Sequence, residues 1–475
     1  MLYATSSSNN KPAGAWRSSR LFIVTVISIA MFSETFLFSF IIPILPSMLH
    51  DRLQIPTSNI QFVTSVILSM NALISIVLAP FIGPLSDKWD RKNGLMIWSW
   101  IINMVGTFIT AWSTTLPWLI VGRLVQTVAG SLIWIAGMAM LGASVAPHHL
   151  AKAFGFCTLF VSAGLLSGPA LSGALFKFVP YYAMWLSSFL VLLVGAVLQC
   201  LVIETSTVNE PENDVPSDDD TLAEQYIDTD ALLPSRPGPP HHTYESISKL
   251  HKHPLQTPAP TLRIYWMMIC KRRVLTALIA DTLFAIVISS FEATIPIHVR
   301  DVFHWESLEA GMLFLLLQAP SLVLIMPAGW LKDRIGMRVP VTIGFLLMAP
   351  SLWLLGVPGN EHFEWPNDRQ TGQVIYIMTL VAIGVCRTLL LGFGGIEVLN
   401  GANSLAAEKP GIFGAGTGYS RAFAMSNITW KLGMFLGPLL CGMLTESVGY
   451  YAMNVVLAIL CFMMGIATYV AIRKN

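Results

Sequence analysis

Residues 83–94 read Gly-Pro-Leu-Ser-Asp-Lys-Trp-Asp-Arg-Lys-Asn-Gly, which is a short charged loop between two long apolar runs. A related stretch returns at residues 329–338 as Gly-Trp-Leu-Lys-Asp-Arg-Ile-Gly-Met-Arg. In both copies a leucine stands two residues after the first glycine and an aspartate four residues after it, with a basic residue soon afterwards. Because the loop recurs at the same place in each half of the chain, it indicates a duplicated architecture.

The composition places this chain in a membrane. Of its 475 residues, 54% are hydrophobic and only 12% are charged, whereas soluble domains carry about 25% charged residues. The net charge is +1 and the basic residues are dispersed among loops, which argues against a nucleic-acid partner. The six cysteines form no Cys-x-x-Cys or Cys/His cluster, so we expect no metal and no cofactor.

A helix needs about 20 largely apolar residues to cross a bilayer. We therefore predict an all-α membrane protein with twelve transmembrane helices in two pseudo-symmetric six-helix bundles. The predicted spans are 21–46, 60–82, 94–112, 116–145, 150–176, 180–203, 274–299, 308–328, 339–357, 374–404, 412–444 and 450–472.

Four regions follow from these spans. A polar tail at residues 1–20 precedes the N-terminal bundle at 21–203, and the C-terminal bundle occupies 274–475. Residues 204–273 contain acidic runs, a proline-rich stretch and few core-forming residues, which predicts a mostly disordered linker.

Lysine and arginine accumulate on cytosolic loops of membrane proteins. With the N-terminus inside, the inside segments hold 20 of these residues and the outside segments hold 4. Without the linker the ratio is still 13 to 4. Both termini and the linker are therefore predicted to be cytosolic.

A second repeat supports the duplication. Span 5 contains Gly164, Gly168, Pro169 and Gly173, and residues 433–442 in span 11 repeat the spacing. Glycines at this spacing let helix backbones approach closely, and a proline bends the helix. The same motif once in each half is much stronger evidence than a single Gly-x-x-x-Gly.

These motifs resemble the major facilitator superfamily, and more narrowly its twelve-span drug:proton antiporters and the related vesicular amine transporters. Residues 83–92 resemble the family's loop 2–3 motif, and residues 164–173 resemble the span-5 motif of the antiporter branch. Arg123, Gln126 and Gly130 resemble its span-4 motif. The resemblance covers both six-span halves and implies the major facilitator fold and transport coupled to protons, without a specific substrate.

The sequence departs from the family pattern at four positions. Asp90 and Ser172 stand where the two motifs usually have glycine. Asn71 and Asn427 stand where the vesicular amine transporters carry a lysine and an aspartate. Monoamine specificity is therefore not carried over.

Charged side chains inside a membrane are costly and mark functional sites by default. Glu34 and Glu292 resemble the span-1 and span-7 acids of the vesicular transporters, where a carboxylate binds a cationic substrate or carries the exchanged proton. Arg123 resembles the family's span-4 coupling residue. The competing interpretations are a protonated acid bonded to a neighbouring helix, an interfacial residue and a structural ion pair.

Four further polar residues are candidates in the second half. Glu397 occupies roughly the place of the family's span-10 acid, and Arg387 lies too far along the same helix to pair with it. Asn427 and Lys431 are four residues apart in span 11 and share one helix face. Asp281 is nearer the cytosolic end of span 7.

The resemblance also implies a gate at the charged loops. Gly83, Asp87, Arg91 and Asp333 would stabilise the outward-facing state through an anion at a helix N-terminus and an interdomain ion pair. The alternative is a solvated turn that only carries cytosolic charge.

We predict that the chain is a secondary transporter that exports a small organic compound, a drug or metabolite, in exchange for protons. Glu34 and Glu292 favour a cationic compound. The alternative is a facilitator or proton symporter that imports a nutrient. A multi-span enzyme is disfavoured, because the two His pairs lack ligating partners. We expect a monomer with small-molecule and proton ligands in the plasma membrane, or else in a vacuolar or vesicular membrane.

Overall fold

The fold is given by a computed structural model, which describes residues 15–88, 92–145, 150–203, 261–360, 363, 369–409, 412–413 and 419–471. Every regular element within these residues is helical. After a 3₁₀ turn at Ala15–Ser18, the first half contains α1 (Arg20–Phe40), α2 (Leu45–Ser47) with a π-helical turn at Met48–Arg52, α3 (Thr57–Lys88), α4 (Lys92–Trp112), α5 (Leu116–Ser144), α6 (Leu150–Phe178) and α7 (Tyr181–Leu201). The second half contains α8 (Thr261–Ile269), α9 (Arg272–Phe303), α10 (Ser307–Ile335), α11 (Arg338–Gly356), α12 (Arg369–Leu390), α13 (Phe393–Glu408) and α14 (Tyr419–Ala471).

The described residues contain eleven helical stretches that are long and apolar enough to cross a membrane. The last of them, Ala424–Ala471, holds 48 residues and is interrupted at Gly449, where φ is 88° and ψ is 162°. A stretch of this length crosses twice, because one crossing takes about 20 residues. The prediction of twelve transmembrane helices is therefore confirmed.

The charged loops are shorter than the sequence predicts. Helix α3 continues through Lys88 and α4 begins at Lys92, so most of the predicted loop 83–94 is helical. Helix α10 continues to Ile335 before Gly336 turns the chain at φ 81°. A helix of 32 residues such as α3 is roughly 48 Å long, and it extends beyond a hydrocarbon layer of about 30 Å. Its last charged turns can therefore lie in water while remaining helical.

The predicted span 374–404 is not one continuous helix. It breaks between α12 and α13 at Gly392, which has a φ of 78°. Residues with a Cβ rarely adopt this left-handed conformation, whereas glycine does so at little cost. The two helices together still form one crossing, Gln370–Glu408.

The structure describes only part of the N-terminal tail and of the linker between the bundles. Residues 1–14 and 204–260, and with them most of the predicted tail and linker, lie outside the described residues. The C-terminal end of the predicted linker contains α8. The end of the tail is fixed to α7, because Arg17 Nε donates a hydrogen bond of 2.6 Å to the carbonyl oxygen of Leu201.

Close glycine contacts repeat in the two halves and explain the repeated motif. A Cβ atom at Gly168 of α6 would lie 2.7 Å from the carbonyl oxygen of Phe36 in α1, and one at Gly437 of α14 would lie 2.7 Å from that of Ile286 in α9. No real side chain tolerates these distances, so glycine is required at both positions. Equivalent glycines therefore hold equivalent helix pairs together.

Matching serines reinforce the same two helix pairs. Ser39 Oγ of α1 donates to the Gly164 carbonyl of α6 at 3.2 Å, and Ser289 Oγ of α9 donates to the Gly433 carbonyl of α14 at 3.3 Å. Interhelical hydrogen bonds and small residues are the main sources of helix association in lipid, where apolar burial contributes little. The two bundles are thus pseudo-symmetric at the level of individual contacts.

The last glycine of each motif joins one half to the other. A Cβ at Gly173 of α6 would approach the Ser307 carbonyl carbon of α10 to 3.0 Å, and one at Gly442 of α14 would approach Ser65 Cβ of α3 to 2.8 Å. One motif therefore packs a helix within its own bundle and also against the other bundle.

We predict that Gly168→Ala lowers the thermal stability of the purified protein. The added methyl group overlaps the α1 backbone, and overpacking of this kind costs about 1–3 kcal/mol. The expected fall in apparent Tm is roughly 1–3 °C, because the entropy of unfolding of a chain of this length is about 1 kcal/mol/K. Gly155→Ala in the same helix is the matched control, because no atom lies within 4 Å of its added Cβ. Equal Tm values for the two variants would contradict the packing argument.

Candidate functional site

Arg123 of α5 and Glu34 of α1 lie on the same side of the first bundle. Arg123 and Gly130 are seven residues apart, or two helical turns, and so share one face of α5. The Glu34 carboxyl group of α1 lies against Gly130, since a Cβ there would come within 2.5 Å of Glu34 Cδ. Glu34 and Arg123 also interact electrostatically. Gly130 therefore makes the space in which the carboxyl group approaches the guanidinium.

A hydrogen-bonded chain orients Arg123. Its Nη1 donates to Gln126 Oε1 at 2.9 Å, and Gln126 Nε2 donates to Thr107 Oγ1 of α4 at 2.9 Å. Arg123 is only 3% exposed, yet its Nε and Nη2 atoms form no hydrogen bond with any described residue. The predicted span-4 motif thus has a structural meaning: Gln126 holds one edge of the guanidinium, and the Nε–Nη2 edge forms no hydrogen bond with the described residues.

A second acid–arginine pair lies in the other bundle. Glu292 of α9 and Arg387 of α12 are 8% and 7% exposed, and they interact electrostatically. Sequence reasoning missed the role of Arg387, because it tested only a partner on the same helix. A buried arginine in a membrane span is itself a sufficient signal of a site, since it must find a partner or line a cavity.

Lys431 of α14 connects the two pairs. It interacts electrostatically with Glu34 in the first bundle and with Glu292 in the second. We call Glu34, Arg123, Glu292, Arg387 and Lys431 the charge cluster. Because its members come from both bundles, a relative movement of the bundles changes the distances between them.

The two acids do not occupy equivalent positions in the repeat. Ser39 and Ser289 make equivalent hydrogen bonds, but Glu34 stands five residues before Ser39 and Glu292 three residues after Ser289. Eight residues of helix correspond to roughly 12 Å along the membrane normal. The cluster therefore places two carboxyl groups at different depths, and Lys431 interacts with both.

Three other candidates lie outside the charge cluster. Glu397 is fully buried and forms a bidentate ion pair with Arg273 of α9. Arg273 Nε donates to Oε2, and Arg273 Nη2 donates to Oε1 at 3.1 Å. Asp281 accepts hydrogen bonds from Ser426 and Thr429. Asn427 is exposed one turn before Lys431. The Arg273–Glu397 pair joins α9 to α13 near the face at which α9 begins.

The structure says little about the expected gate residues. Gly83 and Asp87 lie in the last turns of α3 and Asp333 lies in the last turns of α10, but their side chains are outside the described part of the chain. Arg91 is not among the described residues. Their gating role remains a prediction.

The bundles meet at the membrane face opposite the basic loops. Gln61 Nε2 of α3 donates to the Ala293 carbonyl of α9 at 3.2 Å, and the hydroxyl groups of Ser47 and Ser307 lie 3.5 Å apart. Between the bundles a cavity of about 190 Å³, lined partly by Pro46 and Pro296, remains at this face. These contacts join the two bundles at the opposite face.

The comparisons with known proteins identify the class. Residues 27–420 match the Major Facilitator Superfamily, so this chain belongs to that superfamily. The chain is 27% identical to the MFS-type transporter ppzB of Metarhizium rileyi (strain RCEF 4871), covering 98% of both chains. It is 30% identical to the class H tetracycline resistance protein of Pasteurella multocida, over 28% of this chain and 33% of that protein.

A solved structure has the same fold. A bacterial homolog of the human lysosomal transporter Spinster, in an inward-facing and unoccupied conformation, matches with a TM-score of 0.66 at 11% identity, covering 98% of both chains. The chain is therefore a transporter embedded in a membrane, and the family and its relatives are not enzymes.

We predict that Gly130→Ala impairs transport without unfolding the protein. The added Cβ would displace the Glu34 carboxyl group from its position beside Arg123. A loss of about 1.4 kcal/mol in this interaction corresponds to a roughly tenfold lower transport rate. Transport by the variant and by Gly155→Ala is compared in proteoliposomes at equal amounts of monodisperse protein. Wild-type rates for Gly130→Ala would contradict the role assigned to Gly130.

Proposed function

We propose that this transporter exports a small, amphipathic organic compound in exchange for protons by alternating access. The observation that carries the proposal is the charge cluster, in which Lys431 interacts with an acid of each bundle. Buried charges must be paired or neutralised, because an isolated charge in hydrocarbon is very costly. A cluster with members in both bundles therefore responds both to protons and to bundle movement.

The coupling follows from the partners of Glu34. When ionised, Glu34 balances the charges of Arg123 and Lys431. When protonated, it leaves both cations without that counter-charge, so the most stable arrangement of the bundles differs between the two states. The compound and the proton favour different arrangements of the bundles, and they exchange across the membrane as the bundles rock.

The nature of the compound is inferred from the surroundings of the cluster. Phe284 and Trp430, the neighbour of Lys431, pack edge to face with their ring centroids 5.7 Å apart. Aromatic and aliphatic walls with a few polar groups suit amphipathic molecules. The tetracycline resistance protein that part of the chain resembles is named for resistance to such an organic compound. We place both termini in the cytosol and the protein in the plasma membrane.

The test is transport in proteoliposomes with an imposed pH gradient, using a panel of fluorescent cationic, neutral and anionic compounds. A proton antiporter accumulates at least one compound against its gradient, and a protonophore abolishes the accumulation. Equilibration that ignores the pH gradient indicates a facilitator, and accumulation together with protons indicates a symporter. Either of these results would overturn the proposal.

We predict that Glu34→Gln abolishes proton-driven accumulation while the amount of folded protein is unchanged. The amide cannot ionise, so the counter-charge for Arg123 and Lys431 no longer depends on pH. Passive exchange of labelled compound in the absence of a gradient is measured on the same vesicles as the control. Accumulation at the wild-type level would remove Glu34 from the coupling mechanism.

We predict that a cross-link between Ser47→Cys and Ser307→Cys blocks transport. The two hydroxyl groups lie 3.5 Å apart in different bundles, so a disulfide here would hold the opposite face closed. Oxidation should reduce transport to background and a thiol reductant should restore it, while the single variants are insensitive to both reagents. Unchanged transport by fully cross-linked protein would contradict alternating access at this face.

A further inference from the structure

The charge cluster carries more positive than negative charge. It contains the three cations Arg123, Arg387 and Lys431 and the two acids Glu34 and Glu292. Asp281 lies eleven residues before Glu292 in α9, where its Oδ2 accepts hydrogen bonds from the hydroxyl groups of Ser426 and Thr429, and it is not a member of the cluster. The cluster therefore lacks one negative charge when both acids are ionised, and it lacks more when they are protonated.

Neither acid is free for a cationic compound. Glu34 interacts with Arg123 and Lys431, and Glu292 interacts with Arg387 and Lys431. A cation bound here would add a fourth positive charge to a buried site, which is strongly unfavourable. The cationic substrate expected from the acids alone is therefore disfavoured by the cations that surround them.

Arg123 has two hydrogen-bond donors that an anionic compound could use. The two nitrogen atoms without a hydrogen bond, Nε and Nη2, form one edge of the guanidinium and donate in parallel, which is the geometry that binds a carboxylate with two hydrogen bonds. The hydrogen bond from Nη1 to Gln126 fixes the orientation of this edge. Since the side chain is 3% exposed, two unsatisfied donors are costly until a ligand occupies them.

From this geometry we propose that the exported compound is an organic acid whose carboxylate binds the Nε–Nη2 edge of Arg123. This inference rests on the proposed transport function and names its substrate class. Lys431 and Arg387 supply additional positive charge on the side of the second bundle. An amphipathic acid places its carboxylate on Arg123 and its apolar part against the aromatic and aliphatic walls.

The experiment measures equilibrium binding to purified protein in detergent, without any proton gradient. Three dansyl probes share one fluorophore: dansylglycine carries a carboxylate, its methyl ester is neutral, and dansylcadaverine is cationic. Wild-type protein should bind dansylglycine at least about tenfold more tightly than the ester, because only the acid satisfies both Arg123 donors. Dansylcadaverine should bind most weakly.

Arg123→Lys is the matched variant. Lysine retains the positive charge but has no planar pair of donors, so it should remove most of the difference between acid and ester. The affinity for the ester should stay within about twofold of the wild-type value, because the ester has no carboxylate to pair with the Nε–Nη2 edge. If this variant does not fold, the comparison of acid and ester on wild-type protein still decides the proposal.

The results that overturn the inference are specific. They are equal binding of acid and ester to wild-type protein, tighter binding of dansylcadaverine, no detectable binding of dansylglycine, or an equal loss of all three probes in Arg123→Lys. Proton-driven accumulation of dansylcadaverine alone would refute the organic acid and leave proton antiport intact. Tight binding of dansylglycine without proton-driven accumulation would support the organic acid and refute proton antiport.

Discussion

The cost of placing charge inside a hydrocarbon layer is the constraint on which the rest of this structure depends. Arg123, Glu292 and Arg387 are buried and Glu34 and Lys431 are half-buried, and the opposite charges of these five groups offset one another. No helix carries all of them, so α1, α5, α9, α12 and α14 must meet at one place. The two six-helix bundles form the scaffold that brings these helices together, and any event that neutralises one group changes the balance between the bundles.

The scaffold brings the charged helices together through contacts that still allow the two bundles to move. Gly168 and Gly437 lock helix pairs within each bundle, while Gly173 and Gly442 of the same two helices touch the other bundle. A tight contact within a bundle next to a small, glycine-based contact between bundles favours rigid-body rocking over internal rearrangement. The acids break the symmetry of this scaffold, since they lie at different depths. Asymmetric charge in a symmetric frame gives the two end states different electrostatic energies.

The repeated motifs and most of the individual charged residues of the site could be predicted from the sequence, but the pairing of those charges could not. The repeat of Gly164, Gly168 and Gly173 at residues 433–442 predicted two equivalent bundles, and the contacts of these glycines explain why the spacing is needed. Arg273 pairs with Glu397 across 124 residues of sequence, and no local sequence pattern indicates this pairing. Arg387 was overlooked for a different reason: only a partner on its own helix was considered, although an arginine within a span already signals a site. The break at Gly392 shows that span counting by hydropathy detects crossings but not kinks.

The central claim is that one buried cluster couples the binding of protons to the binding of the transported compound. The most direct measurement is the uptake or release of protons when the best transported compound binds to purified protein in a weakly buffered solution near neutral pH. The account predicts that binding changes the number of protons bound to the wild-type protein and that the change is smaller in Glu34→Gln. Saturable binding with no uptake or release of protons across the pH range in which transport is proton-driven would contradict the account.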